Sequence, residues 1–175
     1  RPSSSTSAGT SPNIDARQDG AVFDPSWGRA SYLFNATIAG IEEADALLIV
    51  GANPRREAAV LNARIRKRWR QGNFPIALIG EKADLTYTYD YLGAGAETLA
   101  DLGRAKFAEA FKAAKKPLLI VGAGVFARKD GAALAALAAK AAGDFGVVAE
   151  GWNGFSVLHT AASRVAALDL GLVPA

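Results

Sequence analysis

The residues best suited to binding chemistry form a short turn, Gly-Ala-Asn-Pro at positions 51–54, directly after the apolar run Ala46–Val50. Gly51 ends this run, which has no polar alternation and is therefore typical of a strand buried on both faces. Asn53 is a favourable helix N-cap, and Pro54 is tolerated in a first helical turn because its missing N–H would have no partner there. The backbone N–H groups of such a helix start can hold an anion, and open α/β sheets place their ligands at the carboxyl ends of strands.

Two arginines, Arg55 and Arg56, follow this turn at the positive end of the predicted helix dipole. Each cation placed there costs about 0.3–1 kcal/mol. A phosphate, or a carboxylate on another surface, would offset that cost. Solvation or ion pairing within the chain explains the two arginines equally well.

A second glycine turn, GAGVFA at positions 122–127, follows the apolar run at 118–121. Gly122, Gly124 and Ala127 match the outline G-x-G-x-x-A of a dinucleotide fingerprint, and Glu150 could be the acid that binds the ribose. Residues 128–131 separate the glycines from the next convincing helix, so the glycines do not open that helix directly. A single match of this kind is weak evidence for NAD binding, since close strand–helix packing explains the glycines as well.

The basic stretch RIRKRWR at positions 64–70 has the composition of a nucleic-acid patch. Trp69, however, shares one helical stripe with Leu61 and Ile65 and is expected to be buried rather than free to stack on a base. The stretch therefore favours a solvent face or a protein-docking face over nucleic-acid binding.

No catalytic set is evident in the sequence. The single histidine, His159, lies near Ser156 and Ser163, but no G-x-S-x-G motif accompanies them, and we interpret the histidine as structural. Glu42 and Glu43 are adjacent and would point in different directions on a helix. The chain has no cysteine, which excludes disulfides, thiolate nucleophiles and cysteine-ligated iron–sulfur clusters within it, and a zinc site is not expected with one histidine.

The elements that position these residues alternate between strand and helix. Strands are predicted at 46–50, 74–80, 118–121 and 147–149, and helices from Asn53 to about residue 71, at 97–115, at 132–142 between an Asp130 cap and Gly143, and at 157–168. Residues 40–45 form a short helical turn and residues 85–95 a loop. Alternation with buried-type strands predicts an α/β fold with a doubly wound, mostly parallel sheet.

Composition is that of a globular protein. The 175 residues are 50% apolar and 21% charged, with a net charge of +3. Residues 1–12, rich in Ser, Thr, Gly and Pro, predict a disordered tail or a cloning remnant, and residues 13–175 one α/β domain. We find neither an apolar run of the roughly 20 residues that a membrane span needs nor a secretory leader, and the initial Arg indicates a piece of a larger protein.

Several strings resemble a known family. YLFNATIAGIEEAD at 32–45, LLIVGANPR at 47–55 and LNARIRK at 61–67 closely resemble the large iron–sulfur subunits of NADH:quinone oxidoreductase, which is respiratory complex I. ALIG at 77–80, DLTYTYD at 84–90 and VAALDLG at 165–171 continue the likeness. The resemblance covers nearly everything from about residue 13 onward.

This resemblance implies a fragment of the molybdopterin-oxidoreductase-like region of that subunit, Rossmann-like and without iron–sulfur clusters. The clusters would belong to a cysteine-bearing part before Arg1. In molybdopterin enzymes the two glycine turns approach the nucleotide ends of the cofactor, whereas complex I is thought to have lost it. The resemblance therefore implies no catalytic residue, no metal ligand and at most a vestigial anion site, at Gly51, Asn53, Pro54, Arg55, Gly122 and Gly124.

Two departures from the family pattern are visible. GEKAD at 80–84 lacks the D-P-R string that molybdopterin enzymes often have after the second strand, which weakens the case for a bound pterin. Ala16 stands where some relatives are expected to have a cysteine.

The functional expectation is a structural and assembly module with no chemistry of its own. Its implied partners are the cluster-binding part of the same chain and other peripheral-arm subunits, with no nucleic acid and no direct membrane insertion. Its implied location is the cytoplasmic face of the bacterial inner membrane, or the matrix side in mitochondria. The alternative is a Rossmann-like module that binds NAD or molybdopterin dinucleotide at the glycine turns.

Overall fold

The computed structural model describes Phe23 and residues 27–172, and its centre is a five-stranded parallel sheet. The sheet strands are β1 (Ala46–Val50), β2 (Ile76–Ile79), β3 (Asp90–Gly93), β4 (Pro117–Gly122) and β7 (Phe155–Leu158), in the order β3-β2-β1-β4-β7. A separate antiparallel pair joins β5 (Val148–Ala149) to β6 (Trp152–Asn153). The predicted α/β class with a mainly parallel sheet is confirmed.

Helices connect these strands. They are α1 (Thr37–Glu43), α2 (Pro54–Glu57), α3 (Ala59–Arg70), α4 (Ala96–Ala100), α5 (Lys106–Ala113), α6 (Ala123–Phe126), α7 (Gly131–Asp144) and α8 (Arg164–Asp169), with 3-10 turns at Arg29–Ser31 and Leu102–Arg104. No helix among the described residues has the length and apolar character to span a bilayer.

The central strand β1 is buried along its whole length, because it pairs with β2 on one side and β4 on the other. Successive side chains of a strand point to opposite faces, so Leu48 and Val50 enter one core, and Leu47 and Ile49 enter the other. A strand that is apolar at every position therefore supports two cores at once. This is why the run without alternation predicted a sheet covered on both faces.

Helices cover each face. Ile41 of α1 and Ile65 of α3 are fully buried on the face that contains Leu47. Phe111 of α5 and Ala138 of α7 are fully buried on the opposite face. The alanine-rich face of α7 is buried in this core through Ala135, Ala138, Ala141 and Ala142.

A carboxylate aligns the two central strands. Asp45, the residue before β1, accepts hydrogen bonds from the backbone N–H groups of Lys115 and Lys116 at 2.8 and 2.9 Å. These two residues directly precede β4. The bonds therefore fix the starts of β1 and β4 at the same level.

The last strand differs from its prediction. Residues 157–168 were predicted as one helix, but Phe155–Leu158 is a sheet strand and α8 begins only at Arg164. The predicted fourth strand at 147–149 contributes instead to the small antiparallel pair. Tertiary pairing decides the outcome, since this segment is held between β4 and the chain near Phe34.

Three helix predictions are corrected in detail. The predicted helix 97–115 breaks into α4, a 3-10 turn and α5. The helix that follows Asn53 is interrupted at Ala58, which has φ −152° and separates α2 from α3. Asp130 precedes α7 without a side-chain cap bond, and Gly143 lies inside that helix rather than after it.

Other predictions have mixed outcomes. The loop predicted at 85–95 contains β3, an edge strand of the described sheet with a register shift opposite residues 78 and 79. The short helical turn predicted at 40–45 corresponds to the end of α1, Thr37–Glu43. The tail at 1–12 and Ala16 lie outside the described residues.

Segments far apart in sequence meet beside β7. Arg29 donates two hydrogen bonds of 2.9 Å to the carboxylate of Asp169, and the Tyr32 hydroxyl donates a third of 2.8 Å. These donors, Arg29 first, hold the pKa of Asp169 below its ordinary value. The N–H of Val157 donates to the carbonyl of Leu33 at 2.9 Å, so the segment near residue 33 covers the edge of β7.

A buried polar pair fixes the loop between β2 and β3. The side chain of Asn62, only 5% exposed, donates to the carbonyl of Leu85 at 3.1 Å and accepts from the Tyr87 hydroxyl at 2.9 Å. Burial raises the pKa of Tyr87 far above its ordinary value, so this hydroxyl stays protonated and remains a donor.

We expect Asn62→Ala to lower the free energy of unfolding by about 2–3 kcal/mol, because it leaves the Leu85 carbonyl and the Tyr87 hydroxyl buried without partners. Tyr87→Phe should cost about 1 kcal/mol alone and much less in the Asn62→Ala background. Urea unfolding measures these values. Gln71→Ala, which removes an exposed amide just after α3, is the matched control and should be nearly neutral.

Candidate functional site

The candidate site lies where the strand order of the sheet reverses, between β1 and β4. Ligands of open α/β sheets bind at the carboxyl ends of strands at such a point. Gly51 and Gly122 stand there, one immediately after β1 and the other ending β4. The structure therefore brings together the two glycine turns that the sequence analysis singled out.

These two turns pack directly against each other. A Cβ on Gly122 would lie 2.2 Å from the carbonyl oxygen of Gly51, which is far inside van der Waals contact. Gly51 has φ +59°, and a Cβ there would lie 2.2 Å from Cγ2 of Val125. Gly80, after β2, approaches the backbone of Gly51 in the same way, with its Cβ position 3.3 Å away. The base of the crevice is thus closed by protein atoms.

Backbone N–H groups of the first turn are already paired. The N–H of Gly51 donates to the carbonyl of Ile79 at 2.8 Å, which continues the sheet ladder. The N–H of Asn53 donates to the carboxylate of Glu57 at 2.6 Å. Pro54 has no N–H. Three of the four residues of this turn therefore offer no free N–H to an external anion.

Asn53 caps the helix as predicted, and Glu57 completes the cap. The Asn53 side chain accepts from the N–H of Arg56 at 3.3 Å, while the Glu57 carboxylate returns to the N–H of Asn53. Glu57 thus supplies the negative charge that the start of this helix attracts. This role of Glu57 was not predicted, although an acid in the first turn after an N-cap residue is a sequence signal for it.

Arg55 turns away from the crevice. It forms an ion pair with Asp84 and donates to the backbone carbonyl of the same residue at 3.1 Å. The N–H of Thr86 also donates to the Asp84 carboxylate at 2.9 Å, and these contacts, that of Thr86 first, lower the pKa of Asp84. Pairing within the chain, one of the two explanations left open, is what the structure shows for Arg55.

A cleft of about 550 Å³ remains beyond the closed base. The turns after β1 and β2, the start of α4 and residues 124–128 line it. Its charged lining residues are Glu81 and Arg128, and Arg128 is bound to Asp130 by hydrogen bonds of 2.7 and 3.0 Å. Arg128 also holds the pKa of Asp130 below its ordinary value. The cleft therefore presents a carboxylate and a neutralised arginine.

The second glycine turn opens only a short helix, and residues 127–130 separate it from the longer helix α7, in agreement with the prediction that the glycines do not open that helix directly. Helix α6 starts at Ala123, but it is only four residues long and ends before α7 begins at Gly131. Gly124 is exposed and has no atom within 4 Å of its Cβ position. Glu150 lies exposed in the turn between β5 and β6, so it does not follow a strand of the main sheet.

These residues do not fit a bound pyrophosphate, either of NAD or of a pterin dinucleotide. Such a group needs close backbone approach and free N–H donors, as in the dinucleotide fingerprint. Here the backbone of each glycine turn is approached closely by the other turn rather than by a ligand. The N–H groups of Gly51 and Asn53 are paired, and Glu81 would repel a phosphate.

His159 lies in a loop after β7, not in a helix as predicted. Its Nε2 is 2.6 Å from the carbonyl oxygen of Tyr32, and its ring packs on Phe23 with centroids 5.5 Å apart. The carbonyl can only accept, so Nε2 is the protonated nitrogen, and the buried Nδ1 has no partner among the described residues. Burial, supported by the charge of Arg164, lowers the pKa of His159, while the Tyr32 carbonyl acts in the opposite direction.

Neither serine near His159 forms a hydrogen bond to it among the described residues. Ser156 is fully buried, and its hydroxyl accepts from the N–H of Ala36 at 3.2 Å. Within the described part of the chain, no group of three His, Cys, Asp or Glu side chains could hold a metal ion. Glu42 and Glu43 point apart as predicted, since Glu42 pairs with Arg64 and Lys67, and Glu43 with Lys116.

Comparison with known sequences identifies relatives. The sequence model of the molybdopterin oxidoreductase family matches residues 5–175. A protein of Rickettsia bellii (strain RML369-C), named as the G subunit of NADH-quinone oxidoreductase, is 46% identical over 145 residues, which are 82% of this chain and 21% of that protein.

Two mitochondrial relatives are similar to the same extent. NADH dehydrogenase (ubiquinone) iron-sulfur protein 1 of Solanum tuberosum is 47% identical over 148 residues, 83% of this chain and 20% of that protein. The NADH-ubiquinone oxidoreductase 78 kDa subunit of Candida albicans (strain SC5314 / ATCC MYA-2876) is 47% identical over 144 residues, 82% of this chain and 20% of that protein. The chain thus spans about a fifth of the length of these relatives.

We expect Gly122→Ala to lower the free energy of unfolding by at least about 2 kcal/mol, because the new Cβ would meet a backbone oxygen that cannot move aside alone. The φ of −69° at this position is acceptable to alanine, so the effect is steric. Gly124→Ala, two residues later in open space, should be neutral or stabilising by about 0.5 kcal/mol. Equal effects of the two substitutions in chemical unfolding would contradict the close approach of the turns.

The lowered pKa of His159 also predicts a pH dependence. The unfolded chain binds a proton on this residue near pH 6.5, whereas the folded chain does so only at lower pH. The contribution of neutral His159 to stability is therefore complete above pH 6.5 and is lost as the pH falls below it. Thermal unfolding between about pH 8 and pH 5.5 should show wild type losing more stability than His159→Gln, which cannot titrate. Parallel pH profiles of the two proteins would contradict the buried, neutral histidine.

Proposed function

The chain belongs to the molybdopterin oxidoreductase family, and on that premise we propose that it is a structural and assembly module of the large iron–sulfur subunit of an NADH:quinone oxidoreductase. The parent complex transfers electrons from NADH to quinone through iron–sulfur clusters and couples that transfer to proton pumping. The module described here contributes no redox group and no catalytic residue. It supports the cluster-binding part of the same chain and other subunits of the peripheral arm.

The observation on which the proposal rests is the agreement among relatives. The three relatives described above come from a bacterium, a plant and a fungus, and they are named as parts of an NADH-quinone oxidoreductase, an NADH dehydrogenase (ubiquinone) and an NADH-ubiquinone oxidoreductase. Identity of 46–47% extends over more than four fifths of this chain. The likeness is therefore not confined to one motif.

The geometry at the carboxyl edge supports a supporting role over a catalytic one. The backbones of the two glycine turns are in close contact, and the carboxylate of Glu57 binds the N–H of Asn53, where an external anion would otherwise bind. The absence of cysteine leaves the chain without thiolate ligands for iron–sulfur clusters, which the proposal assigns to another part of the parent protein. The parent assembly would lie at the cytoplasmic face of a bacterial inner membrane, or at the matrix side in mitochondria.

Two measurements test this proposal. Affinity purification of the full parent chain should recover NADH:quinone reductase activity together with iron. The 175-residue chain alone should contain no iron, have no visible absorbance and not oxidise NADH. A parent chain that purifies without partner subunits would contradict the assignment to the complex, and stoichiometric iron in the 175-residue chain would contradict its role as a cluster-free module.

A second candidate function is nucleotide binding, favoured only by the cleft of about 550 Å³ at the carboxyl edge of the sheet. Calorimetric titration of the chain with NADH, GDP and molybdopterin dinucleotide discriminates between the two. We expect no saturable heat, because protein atoms of the opposite turn already lie where a pyrophosphate would have to approach the glycine backbone. Saturable binding that Gly124→Val abolishes, in a variant that remains folded, would establish the second function instead.

A further inference from the structure

Positive charge is concentrated on one connection of the fold. Residues 54–70, which form α2 and α3, contain seven arginines and lysines against the single acid Glu57. This excess is larger than the net charge of +3 of the whole chain, so the rest of the chain is net negative. The seven cations differ in whether they form hydrogen bonds or ion pairs within the chain.

Four of the seven are bound within the chain. Arg55 pairs with Asp84, Arg64 and Lys67 share the carboxylate of Glu42 at 2.7 and 2.8 Å, and Arg68 donates to the carbonyls of Ala44 and Gly72 at 2.8 and 2.9 Å while its guanidinium lies over the ring of Phe74. These contacts join α3 to α1 and to the ends of neighbouring elements. They account for four of the cations structurally.

The other three, Arg56, Arg66 and Arg70, have no carboxylate partner in the described ranges. Arg68 has none either, but two hydrogen bonds and a ring contact hold its guanidinium in the fold. Nε of Arg66 donates to the carbonyl of Thr86 at 3.3 Å, which leaves its charge uncompensated. The guanidinium groups of Arg56 and Arg70 make no hydrogen bond or ion pair to any described residue. All three side chains are exposed.

Apolar residues lie on the same side of α3 as Arg66 and Arg70. Val60 is 73% exposed, the most exposed of the large apolar side chains described, and Ala63 is also exposed. At 100° per residue, positions 60, 63, 66 and 70 fall on one face of the helix, opposite the buried Ile65. Residues 63, 66, 67, 70 and 71 line a shallow depression of about 410 Å³ on this face.

Requirements of the helix do not explain the pattern. Arg70 lies in the last turn of α3, where the helix dipole favours a cation, but Arg66 lies before that turn, where the dipole gives no such preference. Val60 is a weaker helix former than alanine and gains nothing from exposure to water. An exposed apolar residue between unpaired cations is instead suited to an external partner.

We propose that the outer face of α3, formed by Val60, Ala63, Arg66 and Arg70, is together with Arg56 of the preceding helix α2 a docking surface for an acidic segment of a partner protein. Carboxylates of the partner pair with the three arginines, and an apolar side chain of the partner packs on Val60 and Ala63. Charge complementarity identifies the occupant, because this face is strongly positive while the remainder of the chain is net negative. The inference deepens the proposed function, on which it rests, since the partner is another part of the same assembly.

A protein segment suits this face better than nucleic acid does. Bases need aromatic platforms, and Trp69, the one aromatic residue of α3, is half-buried against the core with its Nε1 donating to the Thr88 hydroxyl at 3.2 Å. An exposed valine gains from burial against another side chain, whereas a phosphate backbone offers it no such contact.

The test places a photoreactive benzoylphenylalanine at position 60 of the full parent chain and irradiates the purified assembly. Mass spectrometry of the product should identify one predominant cross-linked peptide of net negative charge from another protein segment. The triple variant Arg56→Gln, Arg66→Gln, Arg70→Gln should reduce the yield of that cross-link about fivefold or more, because rim charges govern encounter between complementary surfaces.

A matched triple variant controls for net charge. Lys106→Gln, Lys112→Gln and Lys115→Gln remove three exposed cations whose side chains have no described partner, and should leave the yield unchanged. Circular dichroism verifies that both triple variants are folded. Equal losses in the two variants, a neutral or basic cross-linked peptide, or adducts only with nucleic acid or lipid would overturn the proposal.

The outcome is separable from that of the proposed function. If the parent chain copurifies without NADH:quinone reductase activity but still yields an acidic, arginine-dependent cross-link, the assignment to the complex fails and the docking surface stands. If the activity copurifies and no such cross-link forms, the docking surface fails and the assignment stands.

Discussion

The close contact between the backbones of Gly51 and Gly122 is the constraint on which the centre of this structure depends. Only residues without a Cβ allow the turns after β1 and β4 to meet at this distance, since a Cβ on Gly122 would lie 2.2 Å from a carbonyl oxygen. Strands that meet so closely at their carboxyl ends, and are fixed at their other ends by Asp45, remain level and parallel. The two cores on either side of β1 follow from that alignment.

The same contact changes what this edge of the sheet can do. In an open α/β sheet the reversal of strand order leaves a crevice for ligands. Here the polar groups at the crevice are satisfied within the chain, by Ile79 for Gly51 and by Glu57 for Asn53. Arg56, Arg66 and Arg70, in contrast, have no carboxylate partner among the described residues. The proposed docking of another protein at these cations therefore makes no use of the crevice.

Much of the fold was predictable from sequence, because central strands that are apolar at every position, such as Ala46–Val50 and the run at 118–121, have few alternative structures. The stripe of Leu61, Ile65 and Trp69 was likewise predicted correctly as the inner face of α3. The last strand, β7, was not predicted, because the apolar spacing of residues 157–168 also suits a helix. Only the pairing with β4 decides between strand and helix for this segment. The contact of the two glycine turns was invisible for the same reason, since it joins residues 71 positions apart, a separation that no local pattern reports.

The bonds around Asp169 have a consequence for how the molecule opens. Arg29 and Tyr32 are tied to a carboxylate about 140 positions later, and the carbonyls of Leu33 and Tyr32 bind β7 and the loop after it. Neither segment can leave alone without exposing the polar groups of the other, so they separate as one cooperative unit. We expect their amide hydrogens to exchange with solvent at a shared rate, faster than those of β1. Closing so long a loop costs entropy that grows with its length, so we expect this corner to form late in folding.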